Sequence, residues 1–331
     1  MKIMVYEARP DERADLEKQA ALHGVELSVT DAVPTLENAS LAAGCIGVSI
    51  LGQGCIDAAL LDAYHALGIR YLSTRTIGYD HIDLDHARSI GLRVCSASYA
   101  PNGVADFTVM MILMCLRHYK QALWRGQVND FSLTGLQGRE MKDLRIGIIG
   151  TGRIGAQVAR NLSGFGCRIL AYDLRRNPAV EPQVTYVDFD TLLAQSDVIT
   201  LHMPLLDSNR HIINRESIAK MRDGVVIVNC SRGELADIEA LIEGIETGKI
   251  GALGMDTVEG DEGIIHADHR VDILPNRNWF YLHQFRNVIM TQHMAFYTDA
   301  AVSSMVDCGI GGICQMAAGE SCPTELTGPV Q

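Results

Sequence analysis

The sequence predicts an α/β protein made of two doubly wound parallel-sheet domains, the first of them discontinuous in the chain. Three observations carry this. Short β-type runs alternate with helical patterns from the first residue; the alternation breaks at Ala100-Pro101-Asn102-Gly103 and restarts at Arg145; and one helix is left over near the C-terminus. Strands joined by helices rather than tight turns make a mostly parallel sheet covered on both faces.

Taken in order, Ile3–Tyr6 reads as a strand and Asp11–His23 as a helix stopped by Gly24. Strands recur at Ile46–Ser49, Arg70–Ser73 and Leu92–Val94, with helices over Ile56–Leu67 and His81–Ile90. Pro101 biases Ala100 toward extended backbone. A Met- and Leu-rich helix then spans Val104–Trp124, a scaffold helix with a share in a subunit interface. Six strands follow, at 145–149, 168–172, 198–201, 225–228, 252–255 and 288–290, a Rossmann-like set. The leftover helix covers Asp299–Ala317. The expected division is an interrupted, flavodoxin-like domain of residues 1–101 and 299–331 around a continuous Rossmann-like domain of residues 102–298.

Composition removes several classes of function. In 331 residues, 28 Lys and Arg stand against 40 Asp and Glu, a formal net charge of −12, which argues against a nucleic-acid partner. Glu7 interrupts the N-terminus too soon for a signal-peptide core. The longest apolar run, Phe107–Leu116, is about half of what a bilayer span requires, so no membrane association is expected. Nine scattered cysteines without a C-x-x-C pair suggest neither disulfides nor zinc, and a reducing cytoplasmic compartment fits.

Gly150-Thr151-Gly152-Arg153-Ile154-Gly155 follows one strand and opens an apolar helix. The spacing alone is weak in a chain with 31 glycines, and the context supplies the rest. The first glycine permits the turn, the second lets backbone approach a pyrophosphate, and the third lets helix pack on strand. The helix N-terminus then offers its amides to the phosphates. The next strand ends in Asp173, placed to accept hydrogen bonds from adenosine ribose hydroxyls and to repel a 2′-phosphate. NAD is therefore expected as cofactor, with Arg175 and Arg176 leaving residual NADP use open.

Three later strand ends carry polar residues: Asn229-Cys230-Ser231-Arg232-Gly233, Asp256 with Glu259, Asp261 and Glu262 beyond it, and His293. Open α/β sheets bind ligands outside the carboxyl ends of their strands. A guanidinium grips a carboxylate in a fork, an imidazolium protonates a developing alkoxide, and a neighbouring acid favours the charged imidazole. Separately, Arg232 reads equally well as a surface ion pair and His293 as a core histidine. Together, beside a nucleotide site, they read as the machinery for reducing a 2-oxo acid.

With these residues in hand, the chain resembles the D-specific 2-hydroxyacid dehydrogenases over nearly its whole length, and within them the D-lactate dehydrogenase branch. The likeness rests on the Ser73–Asp83 segment, the glycine loop, Leu201-His202-Met203-Pro204, the Asn229–Gly233 segment and His293-Met294-Ala295-Phe296-Tyr297. It implies that Arg232 binds the substrate carboxylate, that His293 is the acid–base residue, and that the amides of Ile77 and Gly78 hold the carboxylate. Tyr99, Gln53 and Phe296 would line the substrate pocket. Cofactor contacts would come from Gly150, Gly152, Arg153, Ile154, Gly155, Asp173, His202, Pro204, Cys230, Ser231 and Asp256, the last facing the nicotinamide carboxamide. It also implies a homodimer.

Two departures from the family pattern stand out. Asp261 replaces the usual glutamate partner of the histidine, keeping the charge on a stem one methylene shorter. Gln292 and Met294 flank His293 where Pro and Thr are common.

The loop Ser49–Gly54 should face the substrate's side chain and has no Lys or Arg. Pyruvate is the first expectation, with 2-ketoisocaproate and phenylpyruvate as larger apolar alternatives, since such pockets discriminate poorly. His266 and His269 lack a third ligand at useful spacing and read as solvated surface residues, so no metal is expected. Cys230 reads as a small buried residue rather than a nucleophile. The rival functions are a non-catalytic NAD(H)-sensing corepressor-like protein, against which the retained Arg, acid and His argue, and a nucleotide-binding transferase, which leaves them unexplained.

Overall fold

The computed structural model of the chain describes residues 1–274 and 276–328. It divides into two compact units, Met1–Ala100 with Tyr297–Gln331, and Pro101–Phe296.

The first unit is built on strands β1 (Lys2–Val5), β2 (Glu26–Val29), β3 (Gly47–Ile50), β4 (Tyr71–Thr74) and β5 (Arg93–Cys95), in the order β2-β1-β3-β4-β5. All pairs are parallel, with Ile3 opposite Gly47, Gly47 opposite Tyr71 and Tyr71 opposite Arg93. Helices α1 (Arg13–His23), α2 (Ala58–Ala66) and α3 (Leu84–Ser89) connect them. The two faces of the sheet carry separate cores. Val48, Ile50, Leu61 and Tyr64 lie in one, and Ile3 and Val5 pack with Ile310 and Ile313 of the last helix in the other. That long C-terminal helix can lie close because Gly47 faces it; a Cβ there would come 2.8 Å from Ile313. Beyond it, Glu325 bridges antiparallel to Cys95 and pairs with Arg93 at 2.7 Å.

The second unit begins with α4 (Asn102–Leu116) and α5 (Tyr119–Gln127). It continues through β6 (Arg145–Ile149), α6 (Arg153–Ser163), β7 (Arg168–Tyr172), β8 (Thr185–Tyr186), α7 (Phe189–Gln195) and β9 (Val198–Leu201). Then come α8 (Arg215–Lys220), β10 (Val225–Asn229), α9 (Ile238–Glu246), β11 (Ile250–Met255), α10 (Arg277–Gln284) and β12 (Val288–Met290); α11 (Asp299–Ala317) is the C-terminal helix of the first unit. The parallel sheet of the second unit runs β12-β11-β10-β9-β6-β7-β8, so the order reverses beside β6, the switch point where such sheets bind ligands.

Several elements differ from the sequence reading. Edge strands β2 and β8 were not expected: β2 is largely exposed, so its sequence carries no continuous apolar run, and β8 has only two residues. The helix expected over Val104–Trp124 is two helices. His118 takes a left-handed conformation (φ +51), and the Arg139 amide donates to the carbonyl of Leu116 at the break. Helix α11 is apolar and, at 19 residues, long enough to cross a membrane by composition alone. Here half of its apolar window is buried inside the protein, with Met305, Val306, Ile310 and Ile313 turned into the core.

Candidate active site

At the carboxyl end of β6 the glycine loop has the geometry its spacing demands. Gly150 has φ +92, and a Cβ on Gly155 would fall 1.9 Å from the Gly150 carbonyl oxygen, so helix and strand meet with no room for a side chain. Above Gly152, which caps α6, a Cβ would meet nothing within 4 Å. That open cradle over a helix N-terminus is where a pyrophosphate fits. Beside it, the His202 carbonyl lies against Gly150, the His202 Nε2 pairs with the Thr200 hydroxyl at 2.9 Å, and its Nδ1 is buried without a hydrogen-bond partner. Desolvation pulls the His202 pKa down to about 3, so the ring is neutral at physiological pH.

Asp173 ends β7 facing this loop. Its Oδ2 accepts the Thr151 amide at 2.6 Å and the Thr151 hydroxyl at 3.1 Å, and its Oδ1 accepts the Arg175 amide at 2.9 Å. A carboxylate has about four acceptor positions, so capacity remains for a ribose hydroxyl. Tyr186 and Asn177, not singled out from the sequence, brace the same corner: the Tyr186 hydroxyl donates to Thr151 Oγ1 at 2.8 Å, and Asn177 Nδ2 donates to the Thr151 carbonyl at 2.8 Å. Arg176 lies over the Tyr186 ring, 5.4 Å from its centre.

The loop after β10 is tied down residue by residue. The Asn229 side chain accepts the Ser231 amide and donates to the Arg232 carbonyl, and the Ser231 hydroxyl donates to the Met203 carbonyl at 2.6 Å. Arg232 Nη1 donates to the Ser231 carbonyl at 2.9 Å. Cys230 is buried, and burial pushes its thiol well above the usual range, as a packing residue requires. Gly233 then meets the next loop, since a Cβ there would lie 2.3 Å from the Val258 carbonyl carbon. The Arg232 segment and the Val258–Asp261 segment are thus in backbone contact.

Asp256, at the end of β11 and 1% exposed, is a structural hub. Its Oδ1 accepts the Thr291 hydroxyl at 2.6 Å and the Met294 amide at 2.9 Å, and its Oδ2 accepts the Ala295 amide at 2.8 Å. The segment carrying His293 is therefore hung on this carboxylate. The Asp261 carboxylate accepts the Val258 amide at 3.1 Å; burial, with Glu262, Glu234 and Asp256 adding negative charge, pushes its pKa up to about 6. Glu259 is occupied elsewhere, by His211 at 2.6 Å and Arg210 at 3.2 Å.

His293 itself has φ +52, a strained setting for a non-glycine residue. Its ring lies 6.4 Å from Phe296 and 6.1 Å from His266, and His266 Nε2 hydrogen-bonds the His293 carbonyl at 3.2 Å. The surface placement expected of His266 holds. It is exposed, yet the turn of the 256–274 segment brings it onto the histidine, a contact that spacing along the chain cannot reveal. His269, also expected as a solvated surface residue, is instead half-buried: it pairs with Asp272 at 2.8 Å, and its Nε2 is shielded from solvent. Among the described residues, no group of three His, Cys, Asp or Glu side chains is placed to hold a metal.

In the first unit, the Thr76 hydroxyl donates to the Gly78 carbonyl at 2.7 Å and pairs with Thr74 Oγ1 at 2.6 Å, which orders the turn carrying Ile77 and Gly78. Gln53 sits exposed in the loop after β3, its amide bound to Glu7, and Tyr99 is half-buried after β5.

A doubly wound sheet with a glycine loop at its switch point defines a dinucleotide-binding enzyme unit. A sequence profile for the D-isomer specific 2-hydroxyacid dehydrogenase, NAD binding domain, matches residues 109–295. An aromatic 2-oxoacid reductase from Clostridium sporogenes is 42% identical over 311 residues, 93% of each chain. The apo-structure of D-lactate dehydrogenase from Escherichia coli superposes with a TM-score of 0.88 at 35% identity, covering 98% of this chain and all of that one. The NAD complex of a D-isomer specific 2-hydroxyacid dehydrogenase from Lactobacillus delbrueckii gives 0.85 at 29% identity, with 98% and 100% covered. The chain belongs to the D-isomer-specific 2-hydroxyacid dehydrogenases, and its cofactor is NAD.

Proposed function

We propose that the chain reduces pyruvate to D-lactate, with Arg232 binding the substrate carboxylate and His293 as the acid–base residue. The observation that carries this reading is the shared frame of the second unit: Asp256 holds the segment after His293, while Gly233 abuts the loop of Asp261. Arg, acid and His thus stand on loops fixed to one another at adjacent strand ends. NADH, when bound, supplies the hydride. Arg232 orients the carboxylate through its planar fork, and the His293 imidazolium gives its proton to the carbonyl oxygen as negative charge develops there. Asp261, when ionised, favours that imidazolium. Ile77, Gly78, Tyr99, Gln53 and Phe296 keep the substrate-binding roles that the family resemblance implies.

A second reading, reduction of larger substrates such as phenylpyruvate, is favoured by the 42% identity to an aromatic 2-oxoacid reductase. Initial rates of NADH and NADPH oxidation with pyruvate, 2-ketoisocaproate and phenylpyruvate decide between them. The first reading expects the highest kcat/KM with pyruvate and NADH; a higher value with phenylpyruvate selects the second, and no turnover with any of them rejects both.

In this proposal residues 102–298 bind the cofactor and residues 1–101 and 299–331 the substrate, bounds that lie within two residues of the two compact units. A cytoplasmic homodimer completes the proposal. The cytoplasmic placement rests on the nine scattered cysteines without a C-x-x-C pair, which fit a reducing compartment. Leu123, Trp124, Phe131 and Leu133 leave an exposed apolar face on and after α5, suited to a second subunit.

A further inference from the structure

Glu7 is a buried carboxylate with no part in the reaction just described. It follows β1, is 3% exposed and has φ +53, a conformation a glutamate holds only where its surroundings impose it. The fully buried Arg75 supplies one restraint: its Nη2 donates to the carbonyls of Tyr6 at 3.0 Å and Glu7 at 3.3 Å, and its Nε pairs with Glu12 at 2.9 Å. The Glu7 side chain then accepts three successive amides of the loop after β3, those of Leu51 and Gly52 on Oε2 and that of Gln53 on Oε1 at 2.7 Å. Gly52, with φ +90, brings this loop onto the neighbouring one; a Cβ there would meet the His81 ring at 3.0 Å and Thr76 at 3.4 Å.

Three consecutive amides converging on one carboxylate form a nest, an arrangement of backbone that ordinarily captures a ligand's anionic group. Here the protein provides the anion itself. We propose that Glu7 determines specificity: it fills the nest of the 51–53 loop and places negative charge behind it, so that this loop accepts neutral substrate side chains and rejects a second carboxylate. The proposal rests on the assignment of that loop to the substrate. Discrimination is built by repulsion as much as by attraction. The Ser49–Gly54 loop has no Lys or Arg, and its three amides at the nest are committed to Glu7. A dicarboxylic 2-oxo acid would bring its second charge toward a carboxylate.

The test compares kcat/KM for pyruvate and for 2-oxoglutarate, with NADH, in the wild type, Glu7→Gln and Glu7→Asp. Removing the charge in Glu7→Gln is expected to raise the 2-oxoglutarate-to-pyruvate ratio by about 10-fold or more, the scale of one lost charge–charge repulsion. Glu7→Asp keeps the charge and is expected to keep the wild-type ratio. Where the Gln variant does not fold, Glu7→Ser removes the charge and admits water to the nest, and the same rise is expected. An unchanged ratio in a folded, charge-free variant overturns the proposal, whether both activities fall together or neither moves. A wild type that reduces no 2-oxo acid overturns the functional reading first, and is told apart because no ratio can then be formed.

Discussion

The carboxylate of Asp256 accepts the Met294 amide at 2.9 Å, one peptide unit beyond His293. With the Ala295 amide and the Thr291 hydroxyl it gathers three hydrogen bonds from the segment bearing His293, the proposed acid–base residue. Asp256→Asn replaces one acceptor oxygen with a donor facing a donor. Leaving a buried donor unsatisfied costs about 1–3 kcal/mol. Urea unfolding is expected to show a loss of that size, and kcat is expected to fall more than tenfold as His293 loses its support. Unchanged kcat with lowered stability would mean that Asp256 serves the fold alone.

The glycine loop makes a pair of opposite predictions. Gly155→Ala drives a methyl into the Gly150 carbonyl and is expected to destabilise the unit by about 1–3 kcal/mol or more, the order seen for overpacking. Gly152→Ala meets no protein atom within 4 Å, so the melting temperature is expected to hold while the Kd for NADH rises at least about tenfold. Fluorescence titration with NADH and thermal melts separate the two effects.

The raised pKa of Asp261 sets a pH dependence. In the native state the group binds a proton up to about pH 6, whereas unfolded it releases it near the ordinary aspartate value of 3.8. The folded form therefore holds more protons between those values, and stability falls as pH rises through that window. Above about pH 6 the wild type carries the strain of a buried carboxylate that Asp261→Asn lacks, so the variant is expected to gain stability there relative to the wild type. Activity has the opposite sign: kcat/KM is expected to rise as Asp261 ionises near pH 6, and Asp261→Asn to lose that limb. An identical pH–rate profile in the variant would sever Asp261 from His293.

Arg75 and Glu12 form an ion pair with neither side chain exposed. Arg75→Met strands the Glu12 carboxylate in the interior, and removing one partner of such a pair costs about 3–5 kcal/mol. The double variant Arg75→Met with Glu12→Leu is expected to recover part of that loss. Chemical denaturation measures both.

What could be read from the sequence depended on whether the signal was local. The glycine loop, Asp173 and the Asp299–Ala317 helix were legible because spacing within one short segment specifies them. The Val104–Trp124 helix was legible in type but not in its break, which His118 and the distant Arg139 amide create. Strands β2 and β8 were invisible because edge strands of a few half-exposed residues carry no apolar run. The contacts of Asp256 and Glu7 were hidden for a different reason. Each acts on backbone amides of another loop, and an amide leaves no mark in a sequence. His266 came to His293 through the path of a long loop, which composition does not encode.

Selectivity for NAD has its own test. Asp173 faces the glycine loop, and Arg176 is engaged over Tyr186. If Asp173 sets the preference by repelling a 2′-phosphate, Asp173→Ser removes that charge, and the ratio of kcat/KM for NADPH to that for NADH is expected to rise by about tenfold or more. The same variant loses the Thr151 contacts, so NADH affinity is expected to fall as well.

The most direct measurement of the central claim is kcat/KM for NADH-dependent pyruvate reduction in the wild type and in Arg232→Gln. Loss of a carboxylate-binding guanidinium is expected to lower it by at least about 100-fold, on the scale of a charged hydrogen-bonded contact, with NADH affinity unchanged. An Arg232→Gln enzyme that reduces pyruvate as well as the wild type would contradict the account.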